Sequence, residues 1–200
     1  VDVCGGDGRI ERVPGQAAWR CVDKNSMEQI KRQFHHFVSK KALDIEDCGP
    51  KIVDLLLDQN LISEYADIFT LKKGDLLALP RFAEKSVDNL LTSIEKSRKV
   101  SLSRFLVGLS IPQVGEETAI DLSRHFKTIE KLRSANFTDL EVLPGVGGII
   151  AKSVVDYFKS KHNKKVVDNL LKELVLEKEK NITSNKLSGK KFVVTGTLEN

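Results

Sequence analysis

Two glycines in the segment Leu143-Pro144-Gly145-Val146-Gly147 could hold a phosphate group. A helical pattern follows this segment directly. The first turn of a helix has backbone N–H groups without intrahelical partners, and the helix dipole adds partial positive charge there. Because glycine has no Cβ, a phosphate can approach that backbone closely. The segment therefore predicts a contact with phosphate groups that does not depend on a particular side chain.

The same pattern occurs four times at a regular spacing. The small residue that ends each copy is Gly49, Ala83, Gly115 or Gly147, so consecutive copies are 34, 32 and 32 residues apart. In three copies a proline stands three residues before the small residue, and in the first copy Glu46 takes its place. Proline cannot extend a preceding helix, because it lacks an N–H and clashes with the previous turn. A fixed period of this kind is typical of repeated helical units.

Apolar residues recur four and seven positions after each small residue, which is the spacing of one helix face. They are Val53, Leu56, Val87, Leu90, Ala119, Leu122, Ala151 and Val154. Each copy therefore predicts a turn followed by an amphipathic helix. We expect the small residue to permit close backbone approach or a positive φ.

Helical patterns also precede the four turns, over residues 28–43, 67–77, 101–109 and 127–140. The repeated unit is therefore helix, hairpin, helix. No strand is predicted before residues 192–195, so the sequence predicts a mainly α fold in one packed domain.

Side-chain charge distinguishes the four turns. Asp47 lies in the first turn and should repel phosphate, so we expect that copy to be structural only. We expect phosphate contacts at the backbones of three glycines, with three basic side chains as charge partners. These candidates are Gly145, Gly147, Gly115, Arg81, Lys85 and Lys152.

The composition is that of a globular chain. Of 200 residues, 40% are hydrophobic and 30% are charged, and no apolar run approaches the roughly 18 residues of a membrane-spanning helix. Three cysteines are too few, and odd in number, for a disulfide framework. The net charge of +4 falls entirely in residues 101–200, and by itself favours a solvated surface over a polyanion contact. Since the chain begins with Val1 and its only methionine is Met27, we expect it to be a piece of a longer protein. We also expect that protein to be monomeric and cytoplasmic.

Four segments resemble bacterial NAD-dependent DNA ligases, in the order of that family. Residues 37–45, 79–91 and 105–119 are similar to the first three helix-hairpin-helix motifs of those ligases. Residues 187–198 resemble the opening strand and turn of their BRCT domain. The match runs nearly from end to end.

This resemblance implies four units. They are a degenerate zinc-finger-like module at 1–27, a helix-hairpin-helix DNA-binding domain at 28–165, a helix and lysine-rich linker at 166–187, and a truncated BRCT start at 188–200. In the zinc module, Cys4 and Cys21 match two ligand positions, but Val1 and Ser26 occupy the other two. A structural zinc site requires four ligands, so we expect no bound metal and a small core around Trp19.

The resemblance also implies an activity for the parent enzyme, which joins the ends of a nick in duplex DNA during replication and repair. A lysine in a Lys-x-Asp-Gly motif takes AMP from NAD, and magnesium ions assist. That motif is absent from this sequence, since Lys73-Gly74-Asp75 has the wrong order. NAD and magnesium would therefore bind outside this segment, which we expect to be inactive alone and to hold the DNA backbone without sequence preference.

Two other functions remain open at this point. The hairpins could belong to a helix-hairpin-helix module of another repair protein, such as a junction-binding or nuclease-associated one. Alternatively, the chain could be a protein–protein scaffold whose hairpins contact nothing anionic. The segment at 187–198 and the ordered flanking motifs favour the ligase over both.

Overall fold

A computed structural model describes residues 10–12, 19–21, 26–80 and 82–177. Ten α-helices, one 3₁₀ helix and four three-residue strands lie in these ranges. The α-helices are α1 Met27–Val38, α2 Pro50–Asp58, α3 Lys73–Leu77, α4 Glu84–Ser97, α5 Leu102–Gly108, α6 Glu116–Phe126, α7 Ile129–Ser134, α8 Phe137–Glu141, α9 Gly148–Lys159 and α10 Lys161–Glu173. The 3₁₀ helix is Tyr65–Thr70, and the strands are β1 Ile10–Arg12, β2 Trp19–Cys21, β3 Lys99–Ser101 and β4 Val175–Glu177. The predicted mainly α fold is confirmed over these residues.

The four repeated helices begin where the sequence predicts. Gly49, Ala83, Gly115 and Gly147 are the N-caps of α2, α4, α6 and α9. All eight residues of the predicted apolar stripe are at most 1% exposed. Cys48, which precedes the first N-cap, is also in the core, and burial raises the pKa of its thiol to about 12.

The helical patterns that precede the turns are shorter or broken in the structure. The pattern at 67–77 divides into the 3₁₀ helix and α3, and the 3₁₀ helix starts before the pattern, where the Asp67 carboxylate accepts the N–H groups of Ser63 and Glu64. The pattern at 127–140 divides into α7 and α8, because the Asn136 side chain caps α8. Side chains that bond the backbone locally compete with helix continuation, and apolar periodicity alone does not reveal this.

The expectation of no strand before residue 192 is wrong. Strands β1 and β2 pair antiparallel, with Glu11 opposite Arg20. Strands β3 and β4 pair in parallel, with Val100 opposite Leu176. Three-residue strands are too short to show a period of two, and β3 meets a partner 76 residues away, so local sequence gives no signal for either pair. Residues 192–195 lie outside the described residues.

Arg98 joins three elements at the start of β3. Its guanidinium donates to the carboxylate of Glu173 at 2.8 Å and to the carbonyl of Phe69 at 2.7 Å. The N–H of Val175 donates in turn to the Arg98 carbonyl at 2.7 Å. The hydrogen bond to Glu173 raises the pKa of Arg98. These bonds attach the end of α10 to α4 and to the 3₁₀ helix.

Helix α10 runs across residue 165, where the sequence places a domain boundary. It buries Val167 and Leu170 and packs against α9 and the 3₁₀ helix. Lys165 and Asn169 on its outer side donate to the Glu64 carboxylate, at 3.0 and 2.9 Å, and these bonds lower the pKa of that carboxyl. Helix α10 therefore connects α9 to the 3₁₀ helix, which belongs to the first half of the domain.

The second half of the repeat contacts the first through α5. Arg104 donates to the carbonyls of Ala42 and Lys40, both at 2.8 Å. Gly108 lies so close to that loop that a Cβ would stand 3.0 Å from Leu43 Cδ1.

No helix among the described residues is long and apolar enough to cross a membrane.

Substituting Gly108 tests this close approach. We expect G108A to lower the free energy of unfolding by about 1–3 kcal/mol, because the added methyl overpacks the contact with Leu43. Gly74 in α3 is the matched control, since a Cβ there meets nothing within 4 Å and alanine is the better helix former. G74A should keep or slightly raise stability in urea unfolding. Equal losses in both variants would contradict the packing described here.

Candidate nucleic-acid interface

The four hairpins share one closing hydrogen bond. We call residues 45–49, 79–83, 111–115 and 143–147 hairpins one to four. In each, the N–H of the fourth residue donates to the carbonyl of the first; the pairs are Cys48–Ile45, Phe82–Leu79, Val114–Ile111 and Val146–Leu143, at 3.0 to 3.4 Å. The third residue has a positive φ in hairpins one, three and four. A type II turn has a positive φ at its third residue, and proline is common at its second residue, as in hairpins three and four.

The sequence placed the conformational demand on the wrong residue. The small N-caps Gly49, Gly115 and Gly147 have φ of −69°, −92° and −77°, which any residue can adopt. The left-handed residue lies two positions earlier, and Gly145, with φ of +80°, is the glycine that fills it in hairpin four. Asp47 and Gln113 take that conformation in hairpins one and three, with φ of 60° and 67°. The proline in the second position was the available signal, because a type II turn requires positive φ directly after it.

The N-caps have a different property, which is open space. A Cβ added at Gly49, Gly115 or Gly147 would meet nothing within 4 Å. None of α2, α4, α6 and α9 has a side-chain hydrogen bond at its N-cap, whereas Ser26, Ser101, Thr128, Asn136 and Ser160 cap other described helices. The first-turn N–H groups of the hairpin helices are therefore available to an external acceptor.

Hairpins three and four lie side by side. The Ser153 hydroxyl on α9 donates to the Pro112 carbonyl in hairpin three at 2.5 Å. The Asp121 carboxylate on α6 lies 3.9 Å from the position of a Cβ on Gly145 in hairpin four. Each hairpin thus contacts the helix that follows the other. The structure brings Gly115, Gly145 and Gly147 to neighbouring turns.

Hairpins one and two also adjoin. Asp47 of hairpin one and Phe82 of hairpin two line one shallow cavity of about 200 Å³, together with Ser86 and Asn89 of α4. Hairpin one presents the Asp47 carboxylate there, and Pro50 removes one of the N–H groups of α2. Hairpin one is therefore the least suited to an anion.

Hairpins three and four differ in the acidic side chains of the helices that follow them. Glu116 and Glu117 occupy the first turn of α6, and the first turn of α9 has no acidic residue. Lys41 pairs with Glu116 at 2.6 Å, and that hydrogen bond raises the pKa of Lys41. Glu117 is exposed. Hairpin four is therefore the more favourable of the two with respect to its own helix. The carboxylates near it belong to other elements: Asp121 of α6, and Glu141 of α8, whose Oε1 lies 3.4 Å from the position of a Cβ on Gly148.

The basic candidates occupy different positions. Lys85 is exposed in the first turn of α4. Lys152 is exposed on α9 but forms an ion pair with Asp156 one turn further along. Arg81 lies outside the described residues. The structure therefore puts one basic candidate beside hairpin two and one beside hairpin four.

The donor set does not fit a zinc site. Ser26, at the fourth ligand position, caps α1, and its hydroxyl accepts the N–H of Gln29. No group of three or more His, Cys, Asp or Glu side chains that could hold a metal occurs among the described residues. Cys4 and the side chain of Trp19 lie outside them. The absence of zinc remains a prediction.

Comparison with known proteins agrees with this geometry. Residues 39–96 match the family model of a SAM-like helix-hairpin-helix tandem, and residues 104–167 match that of a helix-hairpin-helix motif. The chain is 40% identical over 192 residues to a DNA ligase of Carboxydothermus hydrogenoformans, covering 96% of this chain and 29% of that ligase. It is 39% identical over 200 residues to DNA ligases of Thermotoga neapolitana and Thermotoga maritima, covering 99% of this chain and 29% of each.

The described domain is thus a tandem array of helix-hairpin-helix motifs, arranged as two adjoining pairs. The chain as a whole corresponds in sequence to a segment of bacterial DNA ligases, which confirms the predicted resemblance to DNA ligases. It spans about 29% of the length of the curated relatives it matches.

The two glycines of hairpin four should respond differently to alanine. We expect G145A to lower the free energy of unfolding by about 1–2 kcal/mol, because φ of +80° strains any residue with a Cβ. G147A should change it by less, since φ there is −77° and the space is open. Thermal and urea unfolding of the two variants measure this difference. A larger loss for G147A would contradict the turn assignment.

Proposed function

We propose that this chain is the DNA-binding portion of an NAD-dependent DNA ligase, and that it holds the backbone of nicked duplex DNA without sequence preference. Hairpin four makes the principal contact, and hairpin three makes a second. Backbone N–H groups at Gly145, Gly147 and the first turn of α9 donate hydrogen bonds to phosphate oxygens. Such contacts position a protein on DNA and carry no sequence information.

The observation that supports this most is the set of open helix N-termini. Four helices begin at a small residue with no side-chain cap, and at three of these residues, Gly49, Gly115 and Gly147, a Cβ would meet nothing within 4 Å. A helix N-terminus of this kind attracts anions through its N–H groups and its dipole. Two adjoining hairpins offer two such points, which suits a polymer with regularly spaced phosphates. Lys85 adds positive charge beside hairpin two, and Lys152, paired with Asp156, lies beside hairpin four.

The ligase resemblance supplies the reaction. In the parent enzyme, a lysine outside this segment takes AMP from NAD and transfers it to the 5′-phosphate at a nick. The 3′-hydroxyl then attacks that phosphate and AMP leaves. No described residue is proposed to take part in these steps, so the segment alone does not seal nicks. The parent would act in the cytoplasm, as a monomer, in replication and repair.

Introducing aspartate at two equivalent N-caps tests the proposal. Aspartate is a good N-cap residue, so G147D and G49D should both keep or slightly raise the free energy of unfolding. At hairpin four, the new carboxylate occupies the proposed phosphate position. We expect G147D to weaken binding to a nicked duplex about tenfold by like-charge repulsion. G49D should bind as tightly as the unaltered 200-residue chain, because hairpin one is structural.

Fluorescence anisotropy with a labelled nicked duplex, at several salt concentrations, measures these affinities. Binding of the unaltered chain should weaken steeply with salt, because each phosphate contact releases counterions. No binding to any duplex would refute the proposal and favour the protein–protein scaffold. Equal losses in G147D and G49D would remove the special role of hairpin four.

A further inference from the structure

Two large apolar side chains beside hairpin four face solvent. Val142, just before the turn, is 75% exposed, and Ile149, in the first turn of α9, is 78% exposed. They are the most exposed large hydrophobic residues among those described. Neither contributes to the core, so packing within the domain does not account for them.

The other hairpins do not share this feature. The equivalents of Val142 are Asp44, Ala78 and Ser110. The equivalents of Ile149 are Lys51, Lys85 and Glu117. All six are exposed. The repeat therefore places polar or small residues at these two surface positions, and only the fourth copy has a large apolar side chain at both.

The two side chains flank the backbone that we propose to hold a phosphate. The turn between them contains Gly145, and Ile149 belongs to the uncapped first turn of α9. Beside them, Phe137 is partly exposed, and its ring edge would lie 3.5 Å from a Cβ on Gly148. Apolar side chains thus border the proposed phosphate contact on both sides of the turn, and the Glu141 carboxylate lies beside Phe137, 3.4 Å from the same Cβ position.

We propose that Val142 and Ile149 pack against deoxyribose groups of the strand that hairpin four holds. This inference rests on the proposed function and extends it from the phosphates to the sugars. The sugars adjoin each phosphate and present apolar C–H groups, whereas a phosphate alone would gain nothing from two aliphatic side chains. Burying these chains adds a contribution that depends on apolar area and not on charge. Hairpin four therefore holds DNA by two physically distinct contacts.

The two contacts respond differently to salt. Each phosphate contact contributes to the slope of log K against log salt concentration, through counterion release. An apolar contact contributes to affinity and leaves that slope unchanged. Removing Val142 or Ile149 should therefore shift the line downward without tilting it.

The test uses polar substitutions that preserve size. We expect V142T to weaken binding of the 200-residue chain to a nicked duplex about threefold, and I149Q about tenfold, at every salt concentration. V175T is the matched control, since Val175 is 60% exposed on β4, outside the hairpins. This control makes the same chemical change as V142T and should bind as tightly as the unaltered chain. All three positions are exposed, so the unfolding midpoints of the variants should stay close to that of the unaltered chain.

The outcomes separate this inference from the proposed function. Suppose that the unaltered chain binds duplex and that G147D binds more weakly. If V142T and I149Q then bind as tightly as V175T, the apolar contact is refuted and the phosphate contact stands. If the two variants reduce the salt slope, the side chains act through the phosphates and the inference is also overturned. If the unaltered chain binds no duplex, both proposals fail.

Discussion

The turns that precede α2, α6 and α9 each place one residue in the left-handed region of backbone space. This residue reverses the chain so that the next residue can close the turn by a hydrogen bond to the carbonyl of an apolar core residue. The following small residue can then start a helix in an extended conformation. The direction of the helix, the position of its open N-terminus and the burial of its apolar face all depend on that turn. Glycine meets the demand at lowest cost, and among the described hairpins only the fourth has it.

The four copies are alike in backbone and unlike in chemistry. All four retain the closing hydrogen bond and the buried stripe, because these hold the domain together. Surface residues vary: hairpin one has Asp47 and Pro50, hairpin three is followed by two glutamates, and hairpin four by none. A repeated scaffold can keep its fold while individual hairpins gain or lose affinity for an anion. The proposed concentration of DNA contacts at hairpin four is an instance of this.

Much of the domain could be predicted from the sequence, since its signals are local. The period of the small residues located four N-caps to the residue, and the apolar stripe identified eight core positions. Elements that depend on distant partners could not be found this way. Strand β3 exists because β4 returns to it through Arg98 and Val175. The break between α7 and α8 arises from a side chain that bonds the backbone, Asn136, and the early start of the 3₁₀ helix from another, Asp67. At the site, the sequence identified the glycines, but it gave Gly147 the conformational role that belongs to Gly145. The exposure of Val142 and Ile149 required the structure.

The account's central claim is that backbone N–H groups of hairpin four contact DNA phosphates. Backbone amide shifts in ¹H–¹⁵N spectra, recorded as nicked duplex is added, test it most directly. The account predicts that the largest changes fall on the amides of Gly145, Gly147 and the first turn of α9, with smaller ones at hairpin three. The amides of residues 47–51 should be unaffected. Saturable binding with the largest changes at hairpin one, and none at hairpin four, would contradict it.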